Sequence, residues 1–187
     1  MRFEPTAIDG AVVVDIEPHH DERGFFARTW CADEFERAGL PAGLSQCSIS
    51  WNQHRHTLRG MHWQAAPHGE GKLVRCTRGA IFDVVVDLRP QSPTYLEHVA
   101  VRLDQDNRQG LFVPPGLAHG FLTLVDETEV AYQMDTAHVP DAARGARWDD
   151  PAFAISWPAA PEVRSDRDRT YPDLVPEPRT NGRQVHA

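Results

Sequence analysis

The sequence predicts an all-β domain, a sandwich or barrel with a few short helices, followed by a proline-rich tail. Three observations carry this. Short β-rich runs broken by Gly, Pro, Asn and Asp follow one another with little helix between them. Their close, regular spacing is that of sandwiches and barrels rather than of alternating helix and strand. From about Trp157 the composition changes, and Pro158, Pro161, Pro172, Pro176 and Pro178 are interleaved with charges and almost no apolar residues. The 187 residues suit one domain with a substantial core better than two. The expected division is a single domain over residues 1–157 and a tail over 158–187 that packs on or near the functional site, with a fraying end.

The expected strands, in order, cover residues 11–17, 25–30, 44–51, 58–64, 72–77, 80–88, 95–103, 110–113, 120–125 and 128–134. One helix is expected, over residues 32–38, with acidic residues early in its run and Gly39 after its end, as suits a short surface connector. Arg89-Pro90-Gln91-Ser92-Pro93 reads as a turn between strands. In the run 80–88 the alternation sets Phe82, Val84, Val86 and Leu88 on one face and Asp83 and Asp87 on the other. Two acids on such a face suit either a polar lumen or a polar outer surface, and the strand alone does not choose.

Composition bounds the function. Hydrophobic residues at 41% and charged residues at 25% are ordinary for a globular protein. A formal charge of -8 lacks the basic stripe that nucleic-acid binders use to displace counterions, so an anionic ligand must be met by a local cluster of cations. Cys31, Cys47 and Cys76 are odd in number and widely spaced, which favours free thiols over a disulfide framework or a thiolate metal site. The N-terminus carries no apolar targeting run and no segment approaches membrane-spanning length, so the chain is expected to be soluble and cytoplasmic, without nucleic-acid or membrane partners.

The chemistry concentrates in Leu58-Arg59-Gly60-Met61-His62-Trp63-Gln64 and Lys72-Leu73-Val74-Arg75. A histidine between an arginine and a lysine can hold an anionic substrate, cycle a proton near neutral pH and neutralise an oxyanion. A lone strand histidine is more often structural; this setting favours catalysis. Gly110-x3-Pro114-x-Gly116-x2-His119, preceded by a segment with His62 and Glu70, resembles the paired motifs of the cupin barrel. Gln64 stands where most cupins place a second histidine, which weakens a metal site built from His62, Glu70 and His119 because amides are poor transition-metal ligands.

A larger set of blocks resembles one branch of that superfamily. Asp21-x-Arg23-Gly24-Phe25-Phe26, the two segments just quoted, Phe82 to Arg89 with Ser92-Pro93-Thr94, Pro115-Gly116-Leu117-Ala118-His119-Gly120-Phe121, Glu129-Val130-Ala131-Tyr132, Asp149-Asp150-Pro151 with Ile155-Ser156-Trp157-Pro158, and Ser165-Asp166-Arg167-Asp168 stand in the order and spacing of the dTDP-4-dehydrorhamnose 3,5-epimerase family. The resemblance runs from about residue 10 to residue 175.

It implies a cupin-type jelly-roll homodimer that uses no metal or other cofactor. The implied substrate is a nucleotide-activated 4-keto-6-deoxyhexose, inverted at C3 and C5 or at C3 alone. It further implies His62 as base, Asp168 as the carboxylate orienting it, Tyr132 as donor on the opposite face and Lys72 as stabiliser of the C4 oxygen. Arg23 and Arg59 would take the pyrophosphate, with Gln46, Phe26, His119 and Asp83 around the substrate. Arg28, Ser48 and His138 depart from the family's usual acidic residue, asparagine and aromatic, which bears on the nucleotide, the sugar or the number of centres inverted. Two other readings remain open at this point: a metal-dependent cupin dioxygenase or isomerase using His62, Glu70 and His119, and a sugar-nucleotide-binding cupin without chemistry.

Overall fold

The computed structural model describes residues 1–179. Residues 180–187, which include the tail end expected to fray, lie outside the described residues. Thirteen strands and two short helices appear among the described residues. The strands are β1 Arg2–Pro5, β2 Val12–Asp15, β3 His19–Asp21, β4 Gly24–Phe26, β5 Gln46–Asn52, β6 Leu58–Gln64, β7 Lys72–Arg78, β8 Ala80–Asp87, β9 His98–Asp104, β10 Gly110–Val113, β11 Leu117–Thr123, β12 Thr128–Met134 and β13 Ala143–Gly145; the helices are α1 Ala32–Arg37 and α2 Asp166–Thr170. A six-stranded antiparallel sheet runs β1-β2-β10-β7-β12-β5, and a five-stranded one runs β13-β6-β11-β8-β9. β3 and β4 form a separate hairpin. This is the all-β jelly roll that the sequence predicts.

The two sheets close on one apolar core because their strands alternate. Val74, Leu111, Val113 and Val130 from the larger sheet meet Ile81, Val85, Leu103, Leu117 and Phe121 from the smaller one. The opposite parity of β8, Val84 and Val86 with the half-buried Phe82, packs outward under Ala146 and Phe153 of the later chain, with Trp157 against them. That covering segment is why β8 reads as apolar on one face and still has no solvent-facing side. Asp83 therefore points into the lumen and is fully buried, which decides between the two places the sequence allowed. Asp87 is held at the end of the strand by Arg89, Ser92 and Thr94. On the outer face of the larger sheet, Phe35 of α1 seals Val12, Val14, Leu73 and Phe112.

Some boundaries differ from the sequence expectation. Tyr95 belongs to the turn before β9, and the strand expected over 120–125 begins earlier, at Leu117. β1, β3 and β13 are too short to show a period, and β13 exists because β6 offers it an edge. α2 is five residues, four of them charged, which resembles a solvated loop. Its start is nonetheless marked by Ser165, whose Oγ accepts the Asp168 N–H at 3.0 Å. The segment before α2 is tied to the body where Leu58 N–H donates to the Val163 carbonyl at 2.9 Å.

Candidate active site

Between the sheets, at the end not filled by the core, lies a cavity of about 570 Å³. His62, Asp168, Lys72, His119, Tyr132 and Arg59 all line it. Arg59 and His62 are three residues apart, which in a regular strand puts them on opposite faces. The pairing of β6 with β11 shifts register between His119 and Phe121, and this irregularity brings both side chains to the same cavity. Gly60 makes it possible: its φ is 135°, and a Cβ there would sit 2.4 Å from the Gly120 Cα.

His62 comes from the smaller sheet and Asp168 from α2, 106 residues later. Their atoms Nε2 and Oδ1 are 2.6 Å apart. With Nε2–H donating to the carboxylate, the Nδ1 lone pair is left as the basic atom. Burial opposes ionisation of Asp168, but the His62 hydrogen bond and charge, the Ser165 hydroxyl and a Gly60 backbone contact outweigh it and hold the carboxyl below its ordinary value. The acid is thus an anion at neutral pH. Asp168 is buried although four of the five α2 residues are charged. The Tyr171 ring packs edge-on to the imidazole with centroids 6.1 Å apart.

Tyr132 projects from β12 of the opposite sheet. Its hydroxyl lies 3.3 Å from Ser50 Oγ. Burial, with the Asp83 charge adding to it, pushes the phenol up to about 12, so it carries its proton across the neutral range. His119 Nε2 meets Asp83 Oδ1 at 2.7 Å in the lumen, and its ring stands 80° to that of Tyr132 with centroids 6.5 Å apart. Lys72 Nζ donates to Glu70 Oε1 at 3.0 Å. Arg59 Nε donates to Asn52 Oδ1 at 2.8 Å, and its Nη2 to the Trp51 carbonyl at 3.3 Å, which leaves Nη1 for a ligand.

Cations dominate the lining although the chain is acidic. Arg144, Arg164 and Arg167 join Arg59 and Lys72, whereas the lining carboxylates Glu70 and Asp168 are each paired. Those three arginines were not singled out from the sequence; only Arg167 fell inside a quoted block. Arg164 stacks on Trp148 and Arg167 on Tyr171, with guanidinium carbons 5.6 Å from each ring.

Other expected site residues stand elsewhere. Asp83 lies behind His119 rather than on the wall. Gln46 does not line the cavity; its Oε1 accepts the His138 N–H at 3.1 Å, and His138 and Ser48 line the rim. Arg23 and Phe26 sit on the β3–β4 hairpin, away from this chain's own cavity; Arg23 is exposed and paired with Asp21, and Phe26 is 78% exposed. His62, Glu70 and His119 do not converge as a ligand set, each being paired with a different side chain. Among the described residues no group of three or more His, Cys, Asp or Glu is placed to hold a metal ion, and no helix is long and apolar enough to cross a membrane.

Comparison with known proteins bears on the family of the whole chain. Residues 5–175 match the dTDP-4-dehydrorhamnose 3,5-epimerase family. The chain belongs to that family. An enzyme of that name from Methanothermobacter thermautotrophicus is 42% identical over 181 residues, covering 95% of this chain and 97% of the relative. A dTDP-4-dehydrorhamnose 3-epimerase from Streptomyces niveus is 38% identical over 170 residues, 90% of this chain and 82% of the relative. The crystal structure of the Bacillus anthracis 3,5-epimerase with TDP and PPi bound superposes with a TM-score of 0.89 at 36% identity, covering 92% of this chain and 99% of that one. The family is one of sugar-nucleotide epimerases, and it includes enzymes that invert one centre and enzymes that invert two.

Proposed function

We propose that this chain inverts C3, and with it C5, of dTDP-4-dehydro-6-deoxy-D-glucose by proton removal and return through an enolate. The observation that carries the reading is the opposition of two groups across one cavity: a carboxylate-oriented imidazole on one sheet and a protonated phenol on the other. The C4 ketone acidifies the hydrogens on C3 and C5. His62 Nδ1 takes the proton from one face, the electron pair moves onto the C4 oxygen beside the Lys72 ammonium, and Tyr132 delivers a proton to the other face. The carbon changes configuration with no net change in atoms or electrons, and solvent returns a proton to Tyr132 and removes one from His62. Asp168 supports the imidazolium formed in between.

The remaining cations suit the diphosphate, and the Bacillus anthracis relative, with TDP and PPi bound, supports that use. Arg23 and Phe26 fit the same reading through a homodimer in which the exposed hairpin of one protomer reaches the cavity of its partner. Supporting this, β5 is a sheet edge bearing the exposed Ile49 and Trp51, an apolar edge that a second copy would cover. We assign the homodimer to the cytoplasm, where nucleotide-activated sugars are made.

The test is deuterium wash-in. In heavy water, without added metal or nicotinamide, label is expected at C3 and C5 of this substrate. Label at C3 alone makes the chain a 3-epimerase, and label at neither removes the substrate. Sedimentation of a monomer at micromolar concentration would remove the hairpin exchange.

A further inference from the structure

Lys72 stands where an unpaired ammonium is costly. Its side chain is 9% exposed, and its neighbours across the sheet are Val113 and Met134. A charge so withdrawn from water needs a counter-ion. Glu70 supplies it at 3.0 Å, itself only 13% exposed. An ammonium has three donors, and this is the one side-chain hydrogen bond Lys72 makes among the described residues, so two N–H bonds remain for the cavity.

Glu70 is in turn pinned. Its second oxygen, Oε2, accepts from Gln64 Nε2 at 3.0 Å, and the buried Gln64 carbonyl accepts the Val139 N–H at 2.7 Å. The backbone between Glu70 and Lys72 is clasped as well. Gly71 N–H donates to Asp135 Oδ1 at 2.8 Å, Asp135 N–H donates back to the Gly71 carbonyl at 3.0 Å, and a Cβ on Gly71 would lie 2.4 Å from Asp135 Oδ2. Every part of the arrangement except the ammonium's free N–H bonds is thus spoken for. A carboxylate used in this way is neither a metal ligand nor a general base.

We propose that Glu70, held by Gln64, is a positioning residue for the epimerisation: it fixes the Lys72 nitrogen so that its remaining N–H bonds face the C4 oxygen as the enolate forms. The inference rests on the role of Lys72 in the reading above. Gln64, on the position where other cupins carry a histidine, is part of this support.

Glu70→Gln keeps the shape and an acceptor for Lys72 but removes the charge. It is expected to lower kcat about tenfold with KM within about twofold, the scale of one hydrogen bond to a charged group. Deuterium wash-in at C3 and epimer formation are expected to fall together, because enolate formation precedes both. Glu70→Asp, which retains the charge on a shorter arm, is expected to recover part of the loss. In a Lys72→Met background, Glu70→Gln is expected to cost less than about twofold more, since the partner it positions is gone. A kcat for Glu70→Gln within about twofold of wild type overturns the inference, as does an equal loss in both backgrounds. Absence of exchange in the wild-type protein overturns the epimerase reading and this inference together, whereas an active wild type with a silent Glu70→Gln overturns the inference alone.

Discussion

Replacing Asp168 by Asn removes one charge from the His62 pair while keeping its shape. The carboxylate side chain is 5% exposed and the imidazole 41%, so the anion is withdrawn from water while the ring remains partly solvated. A hydrogen bond to a charged group contributes about 1.5–3 kcal/mol net. At about 1.4 kcal/mol per decade that is roughly 10- to 100-fold in rate if the whole contribution appears when the imidazolium forms. Solvent reaching the His62 ring limits the loss to that range. A larger loss, toward the roughly 10⁴-fold scale known for a reversed tautomer, would mean that the Asn amide donates to Nε2 and turns the Nδ1 lone pair into an N–H. The assay is paired: deuterium wash-in at C3 and epimer formation under saturating substrate, with thermal unfolding of each variant. Both rates should fall by the same factor, since His62 acts before the enolate partitions. The Ser165 cap bonds the Asp168 backbone, so the melting temperature should change by a few degrees at most. An Asp168→Asn enzyme within about threefold of wild type in both rates would refute the assignment of Asp168 as the carboxylate that supports the His62 imidazolium.

Three other outcomes follow from the same geometry. Tyr132→Phe should lower epimer formation by about 10²–10⁴-fold while wash-in falls less, because deprotonation by His62 survives and return from the opposite face does not; equal loss of both would make the tyrosine structural. Gly60→Ala should destabilise by about 2–4 kcal/mol in denaturant unfolding, since the new methyl would lie 2.4 Å from the Gly120 Cα in a backbone with φ of 135°; a neutral variant would show that β6 and β11 can separate. Burial raises the Asp87 carboxyl, but hydrogen bonds from Arg89, Ser92 and Thr94 overcome it and leave it at about 2. Its native value being depressed, its contribution is complete above the unfolded value near 4 and is lost as pH falls toward 2, so Asp87→Asn should flatten the acid limb of the stability curve there.

The sequence by itself determined the strands with local causes and the identity of the chemical groups. The expected spans 58–64, 110–113 and 128–134 coincide with β6, β10 and β12, because alternation and flanking turn residues are properties of a few neighbouring positions. His62, Lys72, His119 and Tyr132 were legible from residue type within ordered motif blocks, and all four line one cavity. Only the tertiary structure decided what depends on distant chain. Asp83 faces the lumen because Ala146, Phe153 and Trp157 cover the other side of β8. Asp168 is buried because the segment before α2 is tied to β6, and Arg59 joins His62 because β6 changes register against β11. Glu70 exchanges the look of a metal ligand for that of a counter-ion because a buried ammonium and a buried amide meet at its two oxygens. A one-dimensional pattern records what each residue can do; burial and partner choice are settled by elements that meet only when the sheets close, since the cost of an unpaired charge arises only once water has left.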